Sequence, residues 1–237
     1  MRHLLAGVVT AGVVGCAGAA PMQPPQPKAE PTGVLHGIPG ETMLYQVQLR
    51  GLPVARVEVA AGSLGLIDGH RAVIVHSHGH SDGLLSIVTD LTYDLETRLD
   101  LDTGRPLDDI EEIRIKEVDD DDHERTPHAF DDEQDEDMHS AAARVRGWRS
   151  KPNERLEFEL RIAGFRLLVA LWESGRETIA APKQMPAMRY TGLVANKYHF
   201  TVWLSDDIAR VPLRLRTESR WGAIAVDLVD YQNNTTD

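Results

Sequence analysis

The chain is nearly without cysteine: Cys16 is the only one in 237 residues, so no disulfide can form within it. It lacks an excess of basic charge. The net charge is −12 at pH 7, which excludes a basic nucleic-acid surface. No serine sits in a nucleophile elbow, so a serine hydrolase of that kind has no support. Segments of β and α pattern do not alternate, which speaks against a βα architecture. The apolar stretch Leu4–Val14 is too short to be a permanent bilayer span, which takes roughly 20 residues.

That stretch has another use. Arg2 supplies a short positive start and Leu4–Val14 an apolar centre, the pattern of an export signal. Val13-Val14-Gly15-Cys16 then resembles the lipobox of bacterial lipoproteins, in which a cysteine thiol takes up a diacylglycerol. Lipidation accounts for a lone cysteine in an exported chain. Residues 1–15 are therefore expected to be a lipoprotein signal peptide, with the mature chain starting at Cys16. Residues 16–39 carry Pro21, Pro24, Pro25, Pro27 and Pro31 and form an extended tether. Ala17 follows the cysteine where enteric bacteria place aspartate for inner-membrane retention, which points to the outer membrane.

Residues 40–232 have the length of one domain. Period-two alternation over Glu41–Arg50 and again over Ala55–Ala61, broken at Gly51-Leu52-Pro53, predicts a hairpin. Arg71–His78 is a β-branched strand. Further strands are expected at Leu91–Leu101, Glu111–Val118, Arg155–Ile162, Phe165–Glu173, Tyr198–Leu204, Val211–Ser219 and Ala223–Tyr231, with turns at Gly164, Gly175 and Gly222. One segment has helical spacing. Met138, Ala141 or Ala142, Val145 and Trp148 share a face, with Asp137 as N-cap and Arg144, Arg146 and Arg149 suiting the C-terminal end. A short helical turn is expected at Leu84–Val88. The fold class is mainly β: a curved antiparallel sheet, or a spiralled and partly open barrel, with one short helix packed on its concave side. On this reading Trp148 and Trp203 are both substantially buried.

The negative charge is local. Asp119–Asp137 holds eleven acids and one arginine, so −10 of the −12 sits in one segment. Like charges repel, and Phe130 is its only large apolar anchor, so residues 119–137 are expected to be a disordered loop.

The order of motifs resembles the exported bacterial family of domain of unknown function 3108. The residues that carry the resemblance are Gly40-Glu41 with Leu44-Tyr45-Gln46-Val47, then Gly51 leading to Ala55 and Val57. Asp137-Met138-His139-Ser140-Ala141 follows the variable middle. Phe200, Val202-Trp203-Leu204-Ser205-Asp206-Asp207, Arg210-Val211-Pro212-Leu213 and Gly222 close it. The resemblance covers about Gly40 to Tyr231. It implies a periplasm-facing curved sheet around a short helix, similar to lipoprotein-carrier folds, and brings no catalytic residues with it.

Chemical density is highest at His76-Ser77-His78-Gly79-His80-Ser81-Asp82-Gly83. On an extended strand His76, His78 and His80 point to one side, and with Asp82 they form a candidate zinc or copper set. His78-Gly79-His80-Ser81-Asp82 also resembles the first half of the metallo-β-lactamase zinc signature, but Gly83 stands where a histidine is needed. The plain alternative is a solvated strand end. The acidic segment lacks the ligand spacing of a preformed calcium loop.

The expected function is that of a non-enzymatic envelope lipoprotein, tethered to a membrane and binding an apolar ligand or a protein partner in the periplasm. The alternative is a metal-binding protein or metal-dependent hydrolase using His76, His78 and His80. No cofactor and no nucleic acid are expected, beyond adventitious zinc or copper. An apolar cavity under the helix would favour a ligand, and a filled interior a protein partner.

Overall fold

Alternation at the start of the domain produces strand β1 (Glu41–Leu49), which pairs with β2 (Leu52–Ala61) across the Gly51 turn. The computed structural model describes residues 39–83, 86, 89–117, 120–130 and 135–234. The signal peptide, Cys16 and the tether lie outside the described residues, as does the expected turn at Leu84–Val88 apart from Ser86.

The chain continues as β3 (Gly65–Ile67), β4 (His70–Ser81), β5 (Asp90–Asp100), β6 (Pro106–Glu117) and β7 (Asp120–Ala129). Each of β4 to β7 pairs antiparallel with the strand before it in the sheet. After β8 (Asp135–Glu136) comes α1 (Met138–Gly147), then β9 (Leu156–Ile162), β10 (Phe165–Ala180), β11 (Gln184–Val194), β12 (Tyr198–Ser205), β13 (Pro212–Ser219) and β14 (Gly222–Asn233). These last six strands form a second antiparallel meander. Pairing of β1 with β14 joins the two meanders into one large curved sheet.

The sheet is open and does not close into a barrel. Its order runs β7-β6-β5-β4-β2-β1-β14-β13-β12-β11-β10-β9-β8, so β7 and β8 are its edges. They are consecutive in sequence. Side chains bridge the gap between the wings: Arg161 Nη1 donates to the Ala129 carbonyl oxygen (3.2 Å), and the Ala163 N–H to Glu111 Oε1 (2.8 Å).

Asp137 caps α1 as expected. Its carboxylate accepts the Ser140 N–H (2.7 Å), while Ser140 Oγ accepts the Asp137 N–H (2.9 Å). The buried face holds Ala141, Val145 and Trp148 as expected, but not Met138, and it extends to polar residues. Met138 is 43% exposed, whereas His139, Ser140, Ala143 and Arg146 are buried with Ala141 and Val145. The helix turns polar groups inward because the sheet supplies partners for them. Trp148, just past its end, has no exposed surface and packs beside Tyr190, Leu156, Phe158 and Leu204. Trp203 departs from expectation. It stays half-exposed, away from the helix, with its indole N–H donated to Glu177 (2.8 Å).

Three further differences have physical causes. Gly175 makes no turn: it bulges β10, which runs on to Ala180 as one long strand. Strand β11 had no sequence signal, because Pro186 and Gly192 interrupt its pattern. Gly192 is needed there, since a Cβ would strike the Phe200 ring and lie 2.7 Å from the Ala170 carbonyl oxygen. The acidic segment is the largest correction. Residues 120–129 are strand, not disordered loop, in full register with β6. Asp135, Glu136 and Asp137 are buried rather than solvated. Residues 119 and 131–134 of the segment lie outside the described residues.

Candidate functional site

Strand alternation places the histidines of β4 on the outer face. Val73, Val75 and Ser77 are buried, while His76 and His80 are exposed and His78 half-exposed. Three imidazoles on one side is therefore correct, yet they do not converge on a point. His78 Nδ1 lies 2.7 Å from Asp94 Oδ1, and His76 Nε2 lies 3.5 Å from the same oxygen. His80 stacks on His78 with ring centroids 5.6 Å apart. Asp82 is engaged elsewhere, paired with Arg56 (2.8 Å) and accepting the Gly83 N–H. Among the described residues no group of three or more His, Cys, Asp or Glu is arranged to hold a metal ion.

The denser polar chemistry is on the inner side, where α1 meets the sheet. Glu41 opens β1 and forms a bidentate ion pair with Arg146 of α1, at 2.7 and 2.9 Å, both side chains buried. Arg146 also donates to the Ala209 carbonyl oxygen, and Tyr231 Oη donates to Glu41 (2.8 Å). Burial raises the Tyr231 pKa to about 12, helped by the Glu41 bond. One ion pair thus ties the first strand, the helix, the 209 turn and the last strand together.

Next to it, Thr97 of β5 links Asp137 to His139. Its hydroxyl proton goes to the Asp137 carboxylate, so its oxygen accepts from His139 Nδ1 at 2.7 Å. His139 is then neutral with a bare Nε2, which is buried without a partner. Burial pushes its pKa down to about 4, against the pull of Asp137. Asp109 is buried beside His128 (2.6 Å), and burial raises its pKa to about 6 in spite of that hydrogen bond. Tyr93 donates to Glu111 (2.7 Å), and burial pushes its pKa up as well.

The last three acids of the acidic segment each have a partner. Asp135 takes Arg161 (2.7 Å) and Arg166 (3.1 Å), Glu136 takes Arg144 (2.5 Å), and Asp137 caps the helix. Sequence reading found Asp137 as a cap but missed Glu41, Thr97, Asp109 and Arg146. A glutamate at the first position of a strand carries no signal that its partner lies 105 residues away. As they stand, these bonds hold helix to sheet.

No helix among the described residues is long and apolar enough to cross a membrane, which says nothing of strands. No family model matches the chain, and no curated protein matches it. Membership of the family of domain of unknown function 3108 is therefore not shown. Among solved structures, the chain is similar to the lipoprotein LppX of Mycobacterium tuberculosis, at 14% identity over 83% of this chain and 88% of that one, with a TM-score of only 0.28. A better overlap, at a TM-score of 0.52 and 9% identity, covers 84% of this chain and 99% of the other. That protein is a β-barrel-like protein of the domain of unknown function DUF1849 from Brucella abortus, and its fold is the one this chain shares.

Proposed function

We propose that this chain is a non-enzymatic lipoprotein of the bacterial cell envelope whose curved sheet serves as a scaffold for a protein partner in the periplasm. The observation that carries the scaffold reading is the filled interior. Trp148, Leu156, Phe158 and Tyr190 pack together under α1, and the Glu41–Arg146 pair locks the helix in place. A carrier of apolar ligands would need open space there. The anchor rests on Cys16 at the end of Val13-Val14-Gly15, and Ala17 favours the outer membrane. Kinship with the family of domain of unknown function 3108 belongs to the same proposal, supported by its Phe200–Leu213 motif folding as strand, turn and strand.

Two measurements test this. Membrane fractionation should find the wild-type chain in the membrane fraction and Cys16→Ser in the soluble one; unchanged attachment of the variant removes the anchor. Organic extraction of the purified protein should yield no stoichiometric apolar ligand inside the sheet. A lipid recovered at one per chain would replace the scaffold with a carrier.

A further inference from the structure

The turn between β12 and β13 is built around one arginine. Ser205 Oγ donates to Asp207 Oδ1 (2.8 Å) and accepts the Val211 N–H (2.8 Å), and Asp207 Oδ1 also accepts the Arg210 N–H (3.0 Å). These bonds hold Arg210 at φ 47°, a left-handed conformation that costs energy for a residue with a side chain. Its side chain runs inward and is 4% exposed. The guanidinium donates to Tyr190 Oη (2.6 Å) and to Met188 Sδ (3.0 Å), and its Nε is buried without a partner. None of these partners is an anion.

A second guanidinium is nearby. Arg149 follows α1, donates to the Arg146 carbonyl oxygen (2.7 Å), and likewise has no carboxylate partner among the described residues. Burial, and then the charge of Arg210, pull its pKa down. Both arginines line one open cleft of about 490 Å³. The acids in that cleft are engaged. Glu173 takes the Ser150 hydroxyl, Asp206 takes Arg176 (3.3 Å), and Asp207 holds the turn. A buried guanidinium with no counter-ion carries an unrecovered desolvation cost. Two forked cations facing one cleft suit a doubly charged oxyanion, which each can hold through charge-assisted hydrogen bonds.

We propose that this cleft binds a phosphate group between Arg149 and Arg210. The phosphate is either a free anion or the headgroup of a phospholipid. The site stands apart from the scaffold reading and does not depend on the anchor. The full chain, kept in a neutral detergent, is titrated by calorimetry with inorganic phosphate. Separate titrations use a short-chain phosphatidic acid and the matching diacylglycerol, which lacks the phosphate. Saturable binding is expected for the phosphate-bearing probes and none for the diacylglycerol. Arg149 is exposed at the cleft, so Arg149→Gln keeps the fold and should weaken binding at least about tenfold. Arg220→Gln, on the surface over Trp221, should bind as wild type. Phosphatidic acid binding far tighter than phosphate assigns the headgroup; equal binding assigns the free anion. No saturation by either probe in the millimolar range, or wild-type affinity in Arg149→Gln, overturns the proposal.

Discussion

The two wings of the sheet share one strand geometry and are held by different forces. Under β9–β12 the core is apolar, centred on Trp148, Leu156, Phe158, Leu171 and Tyr190. Under β4–β7 the apolar cluster shrinks to Val73, Val75 and Leu99 against Ala143 of the helix. Ala72, Leu91 and Leu95 are buried there too, but so are the polar Thr97, Asp109 and Glu111, with Asp135, Glu136 and Asp137 buried just before the helix. Apolar packing responds little to protons or salt. A wing built on buried carboxylates must answer to pH, because each has to stay paired or take up a proton. The contrast shows that one sheet can change its means of cohesion half-way across without changing its backbone.

The sharpest way to test that contrast is at the tryptophans. Trp148→Ala should cost about 3–5 kcal/mol in denaturant unfolding. Trp203→Ala should cost less than half as much, since that ring is half-exposed and keeps water contact. Equal losses would mean that the apolar wing is not centred on Trp148. Close behind comes the pair that joins helix to strand. Glu41→Ala leaves Arg146 buried without its carboxylate partner and should cost about 3 kcal/mol or more. The double change Glu41→Leu with Arg146→Met should recover much of that loss. A double variant as unstable as the single one would show that packing, rather than charge, holds α1.

The acidic wing should show its character in acid. Asp109 titrates near 6 in the folded chain against 3.8 for the free group, so it adds stability as pH falls from about 6 toward 4 and loses it as pH rises. His139 titrates near 4 against 6.5, so it loses stability as pH falls through the same range. The two contributions offset each other between pH 4 and 6. Asp109→Asn should unmask His139, making stability fall more steeply than wild type from pH 6.5 to 4. Parallel stability curves for variant and wild type would refute this. The smallest effect belongs to the outer face. His78→Ala removes an exposed contact with Asp94 and should change stability by about 0–1 kcal/mol.

Much of this architecture could be read from the residues. Alternation marked β1, β2 and β4, and the Asp137 cap marked where α1 begins, because both signals are local. What escaped was set by partners distant in sequence. Strand β7 looked like a self-repelling loop because charge was summed along the chain. In the sheet, His123 and Arg125 reach Glu112 of β6, and His128 reaches Asp109. The polar part of the buried face of α1 escaped for the same reason, since its inward arginine is compensated by a glutamate on the first strand. For the candidate sites, the histidine row was visible, but Arg149 and Arg210 were not. Nothing in their local sequence tells that both lie on one cleft and that neither has a carboxylate partner among the described residues.

The seam between the first strand and the last has a consequence for how the molecule comes into being. Glu41 lies opposite Asn233 and Leu49 opposite Ile224. During synthesis β1 is made long before its neighbour β14, so one edge of β1 stays unpaired until all the strands between them exist. Contacts so distant in sequence are slow to form, and an open strand edge is exposed to wrong partners while it waits. A chain that emerges from its N-terminus must therefore carry that edge unsatisfied, and becomes a single sheet only when β14 arrives.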